Sequence, residues 1–123
     1  MTDPDEDLLR FVGSSFSSVW ALELLLVLKK AGRPYLPGEL VSVLRASELV
    51  VSNASDSLIA AGFVSIDDHG VRYLPVNDEI AEKVERIEML YGVRPNSVRR
   101  AIISSASSGA TAFADAFKLR KDR

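Results

Sequence analysis

Residues 47–64, SELVVSNASDSLIAAGFV, decide how the chain is read. Ser47 is a side-chain acceptor suited to open a helix. Val51, Ala54, Leu58 and Ala61 then recur at i, i+3, i+7 and i+10, which places them on one helical face. Gly62 is a stop signal, and the β-prone run at 63–66 follows at once. A capped amphipathic helix that hands over to a strand needs a partner on its apolar face. The neighbouring segments supply it.

Working backwards, Pro37 suits the first turn of a helix, and Leu40, Val43 and Leu44 continue at helical spacing. Arg45 and Ala46 make the turn between this helix and the next. Residues 33–36 form a short extended connection, because Pro34 and Pro37 each hold the residue before them out of the α region. Ahead of that, Ser17 or Ser18 caps a helix through VWALELLLVLKKAG that ends at Gly32, with Lys29 and Lys30 in its last turn. This helix is apolar nearly all round: Trp20, Leu24 and Leu28 lie on one side and Leu22, Leu25 and Leu26 elsewhere, with Glu23 as the one interruption. It requires cover on more than one face. The patch at 8–16, the C-terminal segments or a second subunit are the candidates. Gly13 to Ser15 reads as a break after the apolar residues Leu8, Leu9, Phe11 and Val12, and residues 1–7 as a frayed end or a first helical turn.

Working forwards, residues 63–66 and 71–74 are β-prone around the turn chemistry of 67–70, a short hairpin. Asn77 or Asp78 caps a long helix whose Ile80, Val84, Ile87 and Tyr91 form an apolar stripe, with Gly92 as its end. That stripe packs either within the chain or across a dimer. Pro95 starts a further helix with Val98, Ile102 and Ile103; SSASSGA follows as a linker; and residues 111–121 put Phe113, Ala116, Phe117 and Arg120 along one side. The expected fold class is mainly α with a small β-hairpin (α+β). It divides into an N-terminal arm or short helix at 1–15, a core at 16–76, C-terminal helices at 77–105, and a linker with a basic tail at 106–123.

Composition narrows the function. With 47% hydrophobic and 26% charged residues over 123 positions, one globular domain is expected. No cysteine and a single histidine, His69, leave no means of building a disulfide, a thiolate site or a histidine metal cluster. No metal or other cofactor is expected. The longest apolar run, residues 19–28, carries Glu23 and is far below the roughly 20 residues of a membrane span, and the acidic start does not read as a secretion signal. A soluble, cytoplasmic protein with no membrane partner is expected. The formal charge of −2 is uneven: acidic residues dominate 3–7 and 78–88, whereas Arg94, Arg99, Arg100, Lys118, Arg120, Lys121 and Arg123 make the last thirty residues basic. No serine is set up with a histidine and an acid, no glycine-rich loop cradles phosphate, and Glu82 with Glu85 reads as a solvated helix face. Catalysis is not expected.

From Leu40 through Leu58 to AGFV, the chain resembles the winged helix-turn-helix domains of MarR-like transcriptional regulators, over about half its length. The resemblance implies that the helix opened by Ser47 enters a DNA major groove and that the hairpin reaches the backbone or minor groove. The residues placed for double-stranded DNA are Arg33, Arg45, Ser47, Ser52, Asn53, His69 and Arg72, with Asn53 suited to adenine. It also implies a homodimer formed through the flanking helices. Ile80, Val84, Ile87, Tyr91, Phe113 and Phe117 are the residues expected to pack against a second copy or a partner. The expected outward face, Glu48, Leu49, Ser52, Asn53, Ser55 and Asp56, carries no lysine or arginine. Phosphate neutralisation supplies most non-specific DNA affinity, so a second reading stands beside the first: a winged-helix module that docks on a protein, such as a component of the transcription machinery.

Overall fold

A computed structural model describes residues 4–105 and gives, in order, α1 (Pro4–Ser15), α2 (Val19–Ala31), α3 (Pro37–Leu44), α4 (Glu48–Ala60), β1 (Val64–Asp67), β2 (Gly70–Tyr73) and α5 (Asp78–Val93), then a helix α6 over residues 95–105. The capping chemistry places most of these boundaries. The Ser18 side chain accepts the Ala21 N–H, Ser47 that of Val50 and Asn77 that of Ile80, each satisfying a donor that the first helical turn leaves unpaired. Gly32, in the left-handed region at φ 65°, closes α2. At the end of α4 the Phe63 N–H donates to Leu58 O and the Gly62 N–H to Ile59 O, the paired bonds of a Schellman motif. Gly62 takes φ 83°, and the chain leaves the helix directly into β1.

β1 and β2 pair antiparallel with Asp67 opposite Gly70, so the loop is the two residues Asp68 and His69, shorter than the four-residue turn expected. The extended connection at 33–36 joins them: Tyr35 and Val71 exchange both backbone hydrogen bonds at 2.8 Å. That pairing explains Gly70. It has φ 118°, and a Cβ there would lie 2.2 Å from the Tyr35 carbonyl oxygen. Only glycine fits.

One continuous core runs through the described residues, from Leu8 to Ile102. α2 packs on α4, α3 and β2, burying Ala21, Leu22, Leu24, Leu25 and Leu28, while α1 packs on α5. Phe63, at the start of the hairpin, ties the two ends together: Phe16 stacks on it at 5.1 Å and Phe11 meets it edge-on at 6.3 Å. The cover that α2 requires therefore comes from within the chain. It is incomplete at Trp20, which stays 41% exposed.

Three sequence expectations are corrected. Gly13 does not break the chain but lies inside α1, which runs to Ser15 and stops before residues 16–18, and Gly13 lets α6 approach: a Cβ there would be 3.0 Å from the Ala101 carbonyl oxygen. Gly92 does not end α5, which runs on to Val93 and is closed by the Arg94 N–H bonding to Leu90 O. Ala61 does not extend the buried stripe of α4; it caps the helix and is exposed. At Gly13 a neighbouring helix decides the outcome, whereas Gly92 and Ala61 are exposed and a Cβ at Gly92 would meet nothing within 4 Å. Among the described residues no single helix is long and apolar enough to cross a membrane. Helices flanking a helix, turn, helix and hairpin give the expected α+β, winged-helix-like arrangement.

Candidate functional site: the outer face of α4

α4 is held from behind. Val51, Ala54 and Leu58 are buried against α2 and α3, which fixes the opposite face toward solvent. On that face Glu48, Leu49, Ser52, Asn53 and Asp56 are exposed, Leu49 at 69%. Ser55, expected with them, is buried at 7% exposure, because it turns toward the cleft between α4 and α3. Ser47 is exposed, but its hydroxyl oxygen is engaged as the helix cap, 3.1 Å from the Val50 nitrogen. Ser52 and Asn53, like Glu48 and Asp56 on the same face, make no side-chain hydrogen bond among the described residues.

The three arginines around α4 have different surroundings. Arg33 lies over the Tyr35 ring at 3.9 Å and pairs with Glu39 at 3.2 Å. Glu39 in turn accepts the Leu36 N–H at 3.0 Å, and this bond, then Arg33, holds its carboxyl below the usual range. Arg72 is turned along the hairpin to Asp67 at 3.2 Å, and its Nε is buried without a partner among the described residues. Asp67 also takes the His69 N–H at 2.8 Å, which folds the tip back on itself and leaves the His69 ring exposed. Arg45 is different. It forms the turn between α3 and α4 in the left-handed conformation at φ 55°, is exposed, and makes no ion pair among the described residues.

Between residues 33 and 73 there are three cations, Arg33, Arg45 and Arg72, against five carboxylates, Glu39, Glu48, Asp56, Asp67 and Asp68. Two of the three cations are internally compensated. Glu48 and Asp56, in contrast, form no ion pair among the described residues. They stand at the edge of a cleft of about 310 Å³ whose floor is Val41, Val51, Ile59, Ile66 and Val71. Charge therefore favours a cationic visitor at this cleft and disfavours a dense set of phosphate contacts. Sequence reasoning missed the cleft because its floor comes from α3, α4 and both strands. The one local hint was Ile66, apolar beside a turn and 56% exposed.

The flanking residues separate as well. Val84 and Ile87 are fully buried inside the chain, together with Leu90, which the sequence reading passed over. These cannot face a second copy. Ile80 and Tyr91 are partly buried, and the Tyr91 hydroxyl donates to Glu23, the lone charge of α2. Burial, then that carboxylate, pushes the Tyr91 hydroxyl above its ordinary value. The open apolar side chains on α5 are instead Met89 and Val93, exposed at 72% and 79%. Phe113 and Phe117, and the linker before them, lie outside the described residues. Comparison of the chain with protein-family models, curated proteins and solved structures returns no match.

Proposed function

We propose that the chain is a winged-helix, MarR-like transcriptional regulator, located in the cytoplasm, that binds double-stranded DNA as a homodimer through α4. The supporting observation is the uncovered polar edge of α4. Ser52 and Asn53 project from a helix held from behind, and Arg45, without an ion pair among the described residues, stands at the turn that such a helix brings against the phosphate backbone. The hairpin with His69 at its tip flanks that edge. With only Arg33, Arg45 and Arg72 at hand, the electrostatic share of binding is small. The slope of log affinity against log salt is expected to be no steeper than about −3 per protomer.

Titrating labelled duplex DNA at two salt concentrations checks this. Binding at low salt, reduced about fivefold by Arg45→Ala through loss of one phosphate contact, supports the proposal. No binding to mixed genomic fragments at low salt overturns it. A slope far steeper than −3 transfers the contact to the cations at 118–123. A second reading, docking on a protein partner, is favoured by a separate observation: the apolar cleft beside α4 with two uncompensated carboxylates at its edge.

A further inference from the structure

The cleft between α3, α4 and the hairpin has the character of a helix-binding groove. Its floor is aliphatic and its rim carries Glu48 and Asp56, neither engaged in an ion pair among the described residues. An occupant that suits it has an apolar side for the floor and cations for that rim. Residues 111–121, TAFADAFKLRK, have this pattern: Phe113, Ala116 and Phe117 fall on one helical side, with Lys118, Arg120 and Lys121 beside them.

A path of contacts also leads from the end of the described chain to α4. Ser105 lies against Gly13 of α1, where a Cβ would come within 3.2 Å of the Ser105 Cβ. Four residues after Gly13, the Ser17 hydroxyl donates to the Ser57 hydroxyl on α4 at 3.1 Å. Asp56 is next to Ser57, and Ile59 follows two residues later. The eight steps from Ser105 to Phe113 span up to about 27 Å when extended, enough to pass around one helix of about 10 Å diameter. Another open apolar cleft among the described residues, between Trp20 and Val43, is a poorer match. Its carboxylate, Glu23, already accepts the Tyr91 hydroxyl, and its rim carries the cation Arg99.

We propose that the α3–α4–hairpin groove is the docking site of the chain's own segment 111–121, bound in cis. Anything that binds the outer face of α4 then competes with this segment. The proposal does not depend on DNA being that ligand.

Because the chain has no cysteine, Ala114→Cys in the full chain takes a single nitroxide label, and its paramagnetic broadening of backbone amides locates the segment. The expected result is loss of more than half the intensity at Ser52, Asp56 and Ile66. It should persist on tenfold dilution, and be abolished by Phe113→Ser with Phe117→Ser or by Glu48→Lys with Asp56→Lys. Broadening centred on Trp20, or none above that of free label, overturns the proposal. So does broadening of the same amides in a mixture of spin-labelled, unenriched chain with unlabelled, isotopically enriched chain, which places the segment on a second copy.

Discussion

α4 and α5 are both amphipathic, and both carry carboxylates flanking their buried stripe, yet the two sets do different things. On α5, Glu85 and Glu88 converge on Lys29 of α2 at 3.0 and 2.7 Å, and that lysine is only 16% exposed. On α4, Glu48 and Asp56 have no cation among the described residues. Acidic side chains anchored by a neighbouring helix serve the fold. Those left uncompensated on an exposed edge cost repulsion and are available to a visitor.

The contrast can be broken first at its base, where α4 is held. Leu58→Ala removes a fully buried side chain beneath the exposed edge. It should destabilise the protein by about 3 kcal/mol in denaturant titration. A loss below about 1 kcal/mol would mean that α4 is not fixed from behind as described.

A smaller effect is expected at the α2–α5 clasp, where Lys29→Met should cost about 1 kcal/mol, since the lysine is mostly buried but its acids are partly solvated. The pH dependence carries the sign. Hydrogen bonds to Glu88 and then Glu85 raise the Lys29 pKa above its ordinary 10.5. The contribution is therefore fully present below the unfolded lysine value and fades as pH rises through the raised folded value. The gap between wild type and Lys29→Met should be constant near neutrality and close in strong base; a gap that widens there would contradict the assignment.

Least in stability, and most informative about the exposed edge, is Asp56→Asn. Unfolding should shift by less than about 0.5 kcal/mol, as for an exposed site with no partner among the described residues. DNA affinity at low salt should rise about threefold, the size of one screened charge. An equal stability loss at Asp56 and Lys29 would erase the distinction between the two helices.

Much of this was legible in the sequence where the chemistry is local. Ser18, Ser47 and Asn77 bond to backbone N–H groups three residues on, and Gly32 and Gly62 take the left-handed conformation that ends a helix. Such features depend on neighbours along the chain. The same local view misjudged Gly13 and Gly92, where a glycine was read as a stop although continuing helix was compatible with the packing. It placed Ser55 outward on spacing alone, one position away from Ala54 on the boundary of the buried face.

The candidate site shows the division more sharply. The absence of basic residues from the outer face of α4 was readable from composition, because helical periodicity alone says which positions point out. The state of the surrounding arginines was not. Arg33 meets Glu39 and Tyr35, and Arg72 meets Asp67, through backbone turns whose angles the residue types leave open, while the pairing of Tyr35 with Val71 spans 36 positions. Sequence by itself determined helices α2 to α6, the cap at Ser47, the hairpin and the sparse charge of the exposed edge, since each follows from interactions within a few residues. Tertiary structure alone decided which cations are spent internally, that Val84 and Ile87 pack inside the chain, and that α3, α4 and two strands enclose a cleft. Those outcomes depend on contacts between segments far apart in the chain, whose distances no local pattern records.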